Sequence, residues 1–334
     1  MTLFFMLKTI LFWLHNARHV ALPQSLLPSI MAVCLAMQTD SFSLWLSIAA
    51  IAGITMVHLG ANLTDDYFDY KKNKQQIEQQ NHPSKSPLRK GKCNYLINGT
   101  VTEKQLLSVI SFLFLLGFIF AGIIFYYRGA IILYYILITG FLSITYSGFP
   151  LRLSYYGLGE ISIGIIFGPL LVSGVFYASC GSFTSEMWTL SFIIGMLVLN
   201  ILYIHSVMDY EADKSVNKKT LAVLIKNKNI MLAVAALPVF TPFIFILAGI
   251  YLQYLNYYYF VLLALLPLAI VLYYLLIQYI KHPDRIYKPH FWMGPMEQWD
   301  VITKAGIDQF MIRWFLARNL TVFFCILSII VSFL

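Results

Sequence analysis

The feature that most limits how this chain can fold is a series of apolar runs, each about as long as a membrane-spanning helix. Roughly 20 apolar residues in a helix cross the hydrocarbon core of a bilayer. Of the 334 residues, 59% are hydrophobic and 11% are charged, whereas soluble domains carry about a quarter charged residues. The chain therefore lacks the polar surface of a soluble protein, and we predict that it lies in a lipid bilayer.

Nine apolar spans are predicted. They lie near residues 21–38, 43–63, 105–127, 130–147, 158–179, 187–208, 230–251, 256–280 and 315–333. They lack the alternation of a transmembrane β-strand, so the predicted fold is an all-α integral membrane protein, a bundle of nine transmembrane helices. Residues 1–334 are predicted to form a single transmembrane domain, with cytoplasmic inserts near 71–104 and 281–314. Residues 1–17 lack a basic start and a cleavage site. They predict a helix that lies in the interface or leads into the first span, rather than a signal peptide.

The positions of the basic residues predict the orientation. The loops after the even-numbered spans are long or basic, and of 23 Lys and Arg residues only Arg128 falls in a loop on the other side. This bias predicts a multi-pass protein of the plasma (inner) membrane, with the N-terminus and the long loops cytoplasmic and the C-terminus outside. It also accounts for the net charge of +8, so no nucleic-acid partner is predicted.

Two acidic motifs end predicted spans on the cytoplasmic side. In GANLTDDYFDYKKN, the residues Asn62, Asp66 and Asp69 fall on one helix face because they are spaced by four and three. In YIHSVMDYEADKSVNKKT, Asp209, Asp213 and Asn217 recur every four residues. We expect two polar stripes that share one rim of the bundle.

Carboxylates clustered near hydrocarbon repel each other and are costly to desolvate, and a divalent cation relieves both costs. Mg²⁺ takes oxygen ligands and is typically held by one or two carboxylates together with substrate phosphates. The predicted metal ligands are Asp66, Asp69, Asp209 and Asp213. The candidates for the phosphate oxygens are Arg152, Lys218 and Lys219. The competing interpretation is that these are solvated helix ends followed by ordinary positive-inside residues.

With these motifs the chain resembles the UbiA-type intramembrane aromatic prenyltransferases. The segments that carry the resemblance are Ala17–Pro23, Asn62–Asp69, Tyr146–Glu160 and Asp209–Thr220. The NLxxDYxDY form of the first motif and the loop LSYYGLGE are similar to the branch that acts on 1,4-dihydroxy-2-naphthoate in menaquinone synthesis. The sequence departs from the family pattern at Leu63, at Asn73-Lys74-Gln75 and at Asn217.

The resemblance implies Mg²⁺-dependent transfer of a polyprenyl group from polyprenyl diphosphate to an aromatic acceptor, 1,4-dihydroxy-2-naphthoate, with loss of CO₂. The expected catalytic residues are the four metal ligands and Tyr146. The expected substrate-binding residues are Asn62, Arg152, Tyr155, Lys218, Lys219, Asn217 and Arg18. Positive charge stabilises the leaving diphosphate, and aromatic faces stabilise the allylic cation. For Arg18, binding of the acceptor carboxylate and anchoring at the membrane interface are both open.

Two alternatives remain at this stage. The same fold could prenylate 4-hydroxybenzoate, homogentisate, haem or a glycerol phosphate lipid, which the acidic motifs do not separate. A transporter is the other alternative, but it predicts ionisable residues near the bilayer midplane. The acids of this sequence cluster at one rim instead.

Overall fold

The computed structural model describes residues 2–80, 93–215, 218–282 and 284–334. Within these ranges the chain is almost entirely helical and holds no β-strand, which confirms the predicted all-α fold. Eight helices are long and apolar enough to cross a membrane, and a shorter apolar helix, Ile131–Ser147, coincides with the fourth predicted span. The protein is a multi-pass membrane protein.

The chain divides into two compact units. The first comprises residues 1–26 and 44–153, and the second comprises residues 27–43 and 154–334. The first unit contains α1 (Thr2–Asn16), α3 (Leu44–Gln80), α4 (Asn94–Ile97), α5 (Glu103–Arg128) and α6 (Ile131–Ser147). Helix α2 (Pro23–Ala36) begins in the first unit and continues in the second.

The second unit contains a series of long helices and the shorter helices between them. They are α7 (Gly159–Ile165), α8 (Leu171–Cys180), α9 (Ser185–Met208), α10 (Tyr210–Ser215), α11 (Leu221–Ile225), α12 (Lys228–Tyr251), α13 (Leu266–Lys281), α14 (Trp299–Lys304) and α15 (Asp308–Val331). Short 3₁₀ turns lie at His19–Ala21, Leu153–Tyr155 and Phe291–Met293, a longer 3₁₀ segment precedes α13 at Tyr257–Leu265, and a π-helical turn joins α7 to α8 at Ile166–Leu170.

Polar residues set several helix ends where backbone donors would otherwise be unpaired. Thr102 and Gln105 form a capping box at the start of α5. Thr184 accepts the amide of Met187 at the start of α9, at 3.1 Å. At the other end, Gly129 stops α5 with φ 78°, a left-handed conformation that glycine adopts at little cost.

In the first unit, α3 packs along α5, and both contact α6. Leu59 and Leu63 of α3 belong to a buried apolar cluster with Tyr95, Leu106 and Ala17, and Phe12 and Trp13 of α1 pack against it. The N-terminal helix is therefore anchored to the middle of α3 by its aromatic side chains. Leu63, where the family pattern often has aspartate, is completely buried in this cluster and has a packing role.

Two boundaries differ from the predicted ones. Helix α3 continues to Gln80, so the predicted insert near 71–104 begins as an extension of that helix. Helix α15 begins at Asp308, seven residues before the predicted start at residue 315. In both places polar residues follow or precede an apolar run, and the intrahelical hydrogen bonds continue beyond the apolar part.

In the second unit, α9 is the central helix and contacts α7, α12, α15 and the π-helical turn. Gly168 of that turn lies against Gly195 of α9, and a Cβ on Gly168 would stand 2.5 Å from the Ser191 carbonyl oxygen. Small residues allow this close approach between membrane helices. Tyr203 of α9 also donates to the Met231 carbonyl of α12 at 3.1 Å.

We therefore expect Gly168→Ala to destabilise the protein by about 1–3 kcal/mol, the usual cost of overpacking a tight contact. The measurement is the thermal unfolding midpoint of the purified protein in detergent. Gly122→Ala on α5 is the matched control, because nothing lies within 4 Å of its added Cβ. Equal unfolding midpoints for the two variants would contradict the assignment of Gly168 to a close helix contact.

Candidate active site

The first acidic motif lies on a single continuous helix. Asn62, Asp66 and Asp69 all fall within α3, so the predicted spacing on one face is retained. Asp66 is buried, with 4% of its surface exposed, whereas Asn62 and Asp69 are partly exposed. The motif therefore combines one buried carboxylate with two groups that reach the surface of the unit.

Arg18 neutralises the buried carboxylate and its neighbour. The terminal nitrogens Nη1 and Nη2 of Arg18 each lie 3.2 Å from Asp65 Oδ2, and Nη2 also pairs with Asp66 Oδ1. Burial by itself would lower the pKa of Arg18, but the two carboxylates outweigh it and the pKa is raised. Arg18 is therefore held as a cation against the first motif.

The position of Arg18 is fixed by its chain neighbours. Its backbone has φ 56°, a left-handed conformation that is uncommon outside glycine. Asn62 Nδ2 donates to the carbonyl oxygen of Ala17 at 2.9 Å. One turn earlier on α3, His58 Nδ1 lies 2.7 Å from Ser25 Oγ. Two side chains of α3 thus hold the segment that carries Arg18.

The residues after the polar insert supply further donors that the sequence analysis missed. Tyr95 donates its hydroxyl to Asp66 Oδ2 at 3.2 Å, and Cys93 Sγ donates to the Asp66 carbonyl oxygen at 3.4 Å. Burial is the main cause that raises the pKa of Tyr95, and the charge of Asp66 raises it further. The hydroxyl therefore stays protonated and can donate. In the sequence, the feature that could have indicated Tyr95 is the short apolar run Tyr-Leu-Ile inside a polar segment.

Helix α6 completes the surroundings of the first motif. Ser147, in its last turn, donates to Asp65 Oδ1. Tyr146, which was predicted to be catalytic, is the preceding residue on the same turn and is half-buried. Arg152 follows in the connecting turn, with φ 48° and an exposed side chain. The predicted residues Asn62, Asp66, Asp69, Tyr146 and Arg18 all lie in the first unit.

The second acidic motif lies where α9 ends. Asp209 caps α9 and Asp213 lies on α10, and the amide of Asp213 donates to the Asp209 carbonyl oxygen at 2.8 Å. The helical spacing of the two carboxylates is therefore kept across the helix boundary. Asp213 is buried, with 4% exposed. His205 Nδ1 lies 3.4 Å from Asp209 Oδ2.

The predicted basic pair follows directly. The amide of Lys218 donates to the Asp213 carbonyl oxygen at 2.9 Å, and the side chains of Lys218 and Lys219 are half-buried and exposed. Asn217 lies outside the described residues. The backbone of Lys219 pairs with that of Tyr156 in a short parallel bridge, so the loop that carries Tyr155 lies beside the basic pair.

Glu160 joins these segments, and the sequence analysis did not include it among the site residues. Its Oε1 accepts the hydroxyl of Ser206 on α9 and the amide of Leu221, the latter at 3.2 Å. The side chain is buried, with 3% of the residue exposed. One carboxylate therefore fastens the start of α7, the end of α9 and the segment after the basic pair. In the sequence, the feature that could have indicated Glu160 is its position as the acid at the end of the loop LSYYGLGE, which resembles the family.

Aromatic side chains of α13 and α15 support the end of α9 from another side. Tyr279 donates to the Met208 carbonyl oxygen at 3.2 Å. The guanidinium of Arg313, almost fully buried, lies 4.9 Å from the Tyr279 ring centre. Phe310 contacts the ring of His205 edge-on, with ring centres 5.1 Å apart. The backbone before Asp209 is thus held in place by contacts outside the motif.

The chemistry of these donors suits Mg²⁺ that is shared with a substrate. Among the residues that the structure describes, no three His, Cys, Asp or Glu side chains are grouped as a complete metal site. Each motif instead offers a pair of aspartates, and Mg²⁺ characteristically takes one or two carboxylates and completes its shell with phosphate oxygens and water. The residues fit a metal–diphosphate complex better than a resident structural metal.

The fold and the motifs define a class of protein: an all-helical membrane protein with one acidic motif within α3 and a second where α9 ends. Residues 25–294 match the UbiA prenyltransferase family, and the chain belongs to that family. This confirms the resemblance seen in the sequence. The chain is accordingly an enzyme, a prenyltransferase, and the transporter alternative has no support.

Individual members of the family are similar to this chain at modest sequence identity. The chain is 28% identical over 249 residues to a 2-carboxy-1,4-naphthoquinone phytyltransferase of Synechocystis, covering 74% of each chain. It is 24% identical over 223 residues to a 1,4-dihydroxy-2-naphthoate octaprenyltransferase of Escherichia coli, covering 65% of this chain and 69% of the relative.

Solved structures share the fold. A UbiA homologue from Archaeoglobus fulgidus, bound to GPP and Mg²⁺, aligns with a TM-score of 0.56 at 16% identity, over 92% of this chain and 99% of that one. A structure from work on digeranylgeranylglyceryl phosphate synthase aligns with a TM-score of 0.60 at 16% identity, over 97% and 99% of the two chains.

For the first motif, we expect Tyr95→Phe to lower the free energy of unfolding by about 1.5–3 kcal/mol, because a buried carboxylate loses a hydrogen-bond donor. Thermal unfolding without added metal measures this change. Tyr134→Phe is the control, since that side chain is 64% exposed on α6. A Tyr95→Phe protein as stable as the control would show that the hydroxyl does not serve Asp66.

For the second motif, we expect Glu160→Ala to destabilise the protein and reduce its prenyltransferase activity. Two buried donors lose their acceptor, at about 1–3 kcal/mol for each unpaired group. Glu160→Gln keeps an acceptor oxygen and should retain most of the stability. Unfolding midpoints and initial rates of the two variants measure the effect. If Gln were as damaging as Ala, the shared acceptor oxygen would not be what Glu160 contributes.

Proposed function

We propose that this prenyltransferase moves a polyprenyl group from polyprenyl diphosphate to 1,4-dihydroxy-2-naphthoate, with Mg²⁺ as cofactor and loss of CO₂. The observation that carries the proposal is the pair of acidic motifs, Asp66 with Asp69 on α3 and Asp209 with Asp213 where α9 ends, in a chain of this family. The acceptor is supported by the names of the relatives from Synechocystis and Escherichia coli. The metal is supported by the donor chemistry and by the Archaeoglobus homologue solved with GPP and Mg²⁺.

In this proposal the four aspartates hold Mg²⁺, which supplies positive charge to the departing diphosphate. Lys218, Lys219 and Arg152 bind the remaining phosphate oxygens, with Asn62 and Asn217 orienting the complex through their amides. The sequence predicts that both motifs serve one diphosphate.

Tyr146 and Tyr155 present aromatic faces to the allylic fragment. Cleavage of the carbon–oxygen bond leaves the prenyl group with cationic character, which aromatic faces stabilise and from which an apolar site excludes water. The electron-rich ring forms the new carbon–carbon bond. Its carboxylate then leaves as CO₂, and the electron pair of that bond restores the aromatic ring, so no external oxidant is needed.

Arg18 has two tasks in this scheme. Its guanidinium is paired with Asp65 and Asp66, so it balances their charge before the metal binds. Its half-exposed side chain then offers hydrogen-bond donors to the carboxylate of the acceptor. This assigns Arg18 a binding role next to the first motif and makes it more than an anchor at the membrane interface.

The test is product analysis by mass spectrometry with purified protein, Mg²⁺, a polyprenyl diphosphate and a panel of acceptors. We expect a decarboxylated prenyl-naphthalene product, no product with EDTA, and a loss of about a hundredfold in rate for Asp66→Asn or Asp213→Asn, typical of removing one electrostatic contact to the transition state. If both motifs act on one diphosphate, the double variant should lose little more than the worse single variant.

Asp40→Asn is the matched control, because Asp40 is an exposed acid outside both motifs. Activity that survives in both motif variants would overturn the assignment of the acids. A product only with 4-hydroxybenzoate, homogentisate, haem or a glycerol phosphate lipid would overturn the acceptor and leave the prenyl transfer intact.

A further inference from the structure

The connection between α13 and α15 is the longest segment of the second unit that joins two candidate membrane spans. Helix α13 ends at Lys281 and α15 begins at Asp308. The segment was predicted to be a cytoplasmic insert. Its contacts with α15 show where it runs, because they fix its register along that helix.

The segment runs alongside α15 in the same direction. At its start, Tyr287 and Gln309 are joined by two hydrogen bonds of 3.0 Å. Further on, Asn319 Nδ2 donates to the carbonyl oxygens of Met293 and Pro295 at 2.9 and 3.0 Å. Gln309 and Asn319 are ten residues apart, which is about 15 Å along a helix.

The segment then turns back. Arg318 donates to the Pro295 carbonyl oxygen and to Glu297 Oε2, both at 2.8 Å. After this turn α14 leads to Asp308, at the start of α15. Residues 285–307 thus form a hairpin whose tip, Met293–Glu297, lies well along α15 and whose ends lie at its beginning.

The tip is held by polar side chains that are otherwise unusual in a membrane helix. Arg318 and Asn319 satisfy backbone carbonyls of the hairpin, as irregular backbone at membrane depth requires. Arg318 Nη1 and Glu297 Oε2 thus form an ion pair at the tip, 2.8 Å apart.

The surface of the hairpin near its tip carries exposed aromatic side chains beside the ion-paired Glu297. Met293 faces α15 and is buried, whereas Phe291 is 97% exposed and Trp292 is 43% exposed. Both precede Met293 directly, so they lie near the level of Asn319. Helix α15 has 24 residues, or about 36 Å, and the hydrocarbon core is about 30 Å thick. A point about 15 Å along this helix is inside the hydrocarbon, where lipid is the surrounding medium.

The ends of the hairpin have the opposite character. Arg285, Lys288 and Lys304 are exposed there. Basic side chains at the ends of membrane helices reach towards phosphate headgroups. The basic side chains thus lie at the base of the hairpin, and the charge of Glu297 at its tip is paired with Arg318.

We propose that residues 285–307 form a re-entrant hairpin that is embedded in the lipid bilayer beside α15, with Phe291 and Trp292 against the acyl chains. The partner of this surface is the phospholipid leaflet itself. The basic residues at the base of the hairpin lie at the headgroups, and Arg318 and Asn319 hold its tip. This contact is independent of the acceptor and of the prenyl-transfer chemistry.

The test is a nitroxide label on Phe291→Cys and on Lys288→Cys, in the full-length protein in nanodiscs of phosphatidylcholine and phosphatidylglycerol. Power saturation gives the accessibility of each label to oxygen and to a water-soluble nickel complex. We expect the oxygen-to-nickel ratio to be several-fold higher at 291 than at 288. The four native cysteines are buried, and labelled wild-type protein is the background control. Equal ratios at the two positions would overturn the proposal.

A second measurement needs no label. Quenching of tryptophan fluorescence by brominated lipids should decrease in Trp292→Phe relative to wild type, because Trp292 contributes to the lipid-quenched fraction. Asn319→Leu should release the tip and raise the nickel accessibility of the label at 291. Unchanged lipid quenching in Trp292→Phe, or an unchanged label in Asn319→Leu, would contradict the embedded position.

Discussion

The constraint on which this structure depends is the cost of leaving a carboxylate uncompensated at the end of an apolar helix. Charge near hydrocarbon is expensive unless it is paired and hydrogen-bonded. Asp66 meets this requirement through Arg18 and Tyr95, and Glu160 through Ser206 and the amide of Leu221. In both units a buried acid thus gathers distant segments around a helix end.

The same requirement connects structure to chemistry. The end of α9, which already concentrates negative charge and whose backbone is held by Tyr279, is suited to receive a metal with its phosphate ligands. Preorganised charge at fixed positions is what stabilises a departing anion. The supporting residues are therefore as important to the proposed reaction as the aspartates, although they touch neither metal nor substrate.

The hairpin beside α15 follows the same rule, here for backbone carbonyl groups. Its carbonyl groups lie at a depth where water does not satisfy them, and Asn319 and Arg318 supply the donors. The apolar residues on its outer face then need no protein partner, because lipid covers them. Polar residues within an apolar span mark this kind of internal partnership as readily as they mark a substrate path.

The sequence by itself determined the membrane class, the approximate spans and the positions of both acidic motifs, because helix periodicity and bilayer thickness act on neighbouring residues. It also carried the family, through the segments around Asn62 and Asp209. Only the tertiary structure decided which groups neutralise the acids, since Arg18 meets Asp65 across 47 residues and Glu160 meets Leu221 across 61. It likewise decided that the segment before α15 folds along that helix. Such contacts depend on the packing of distant segments, which no local pattern in the chain records.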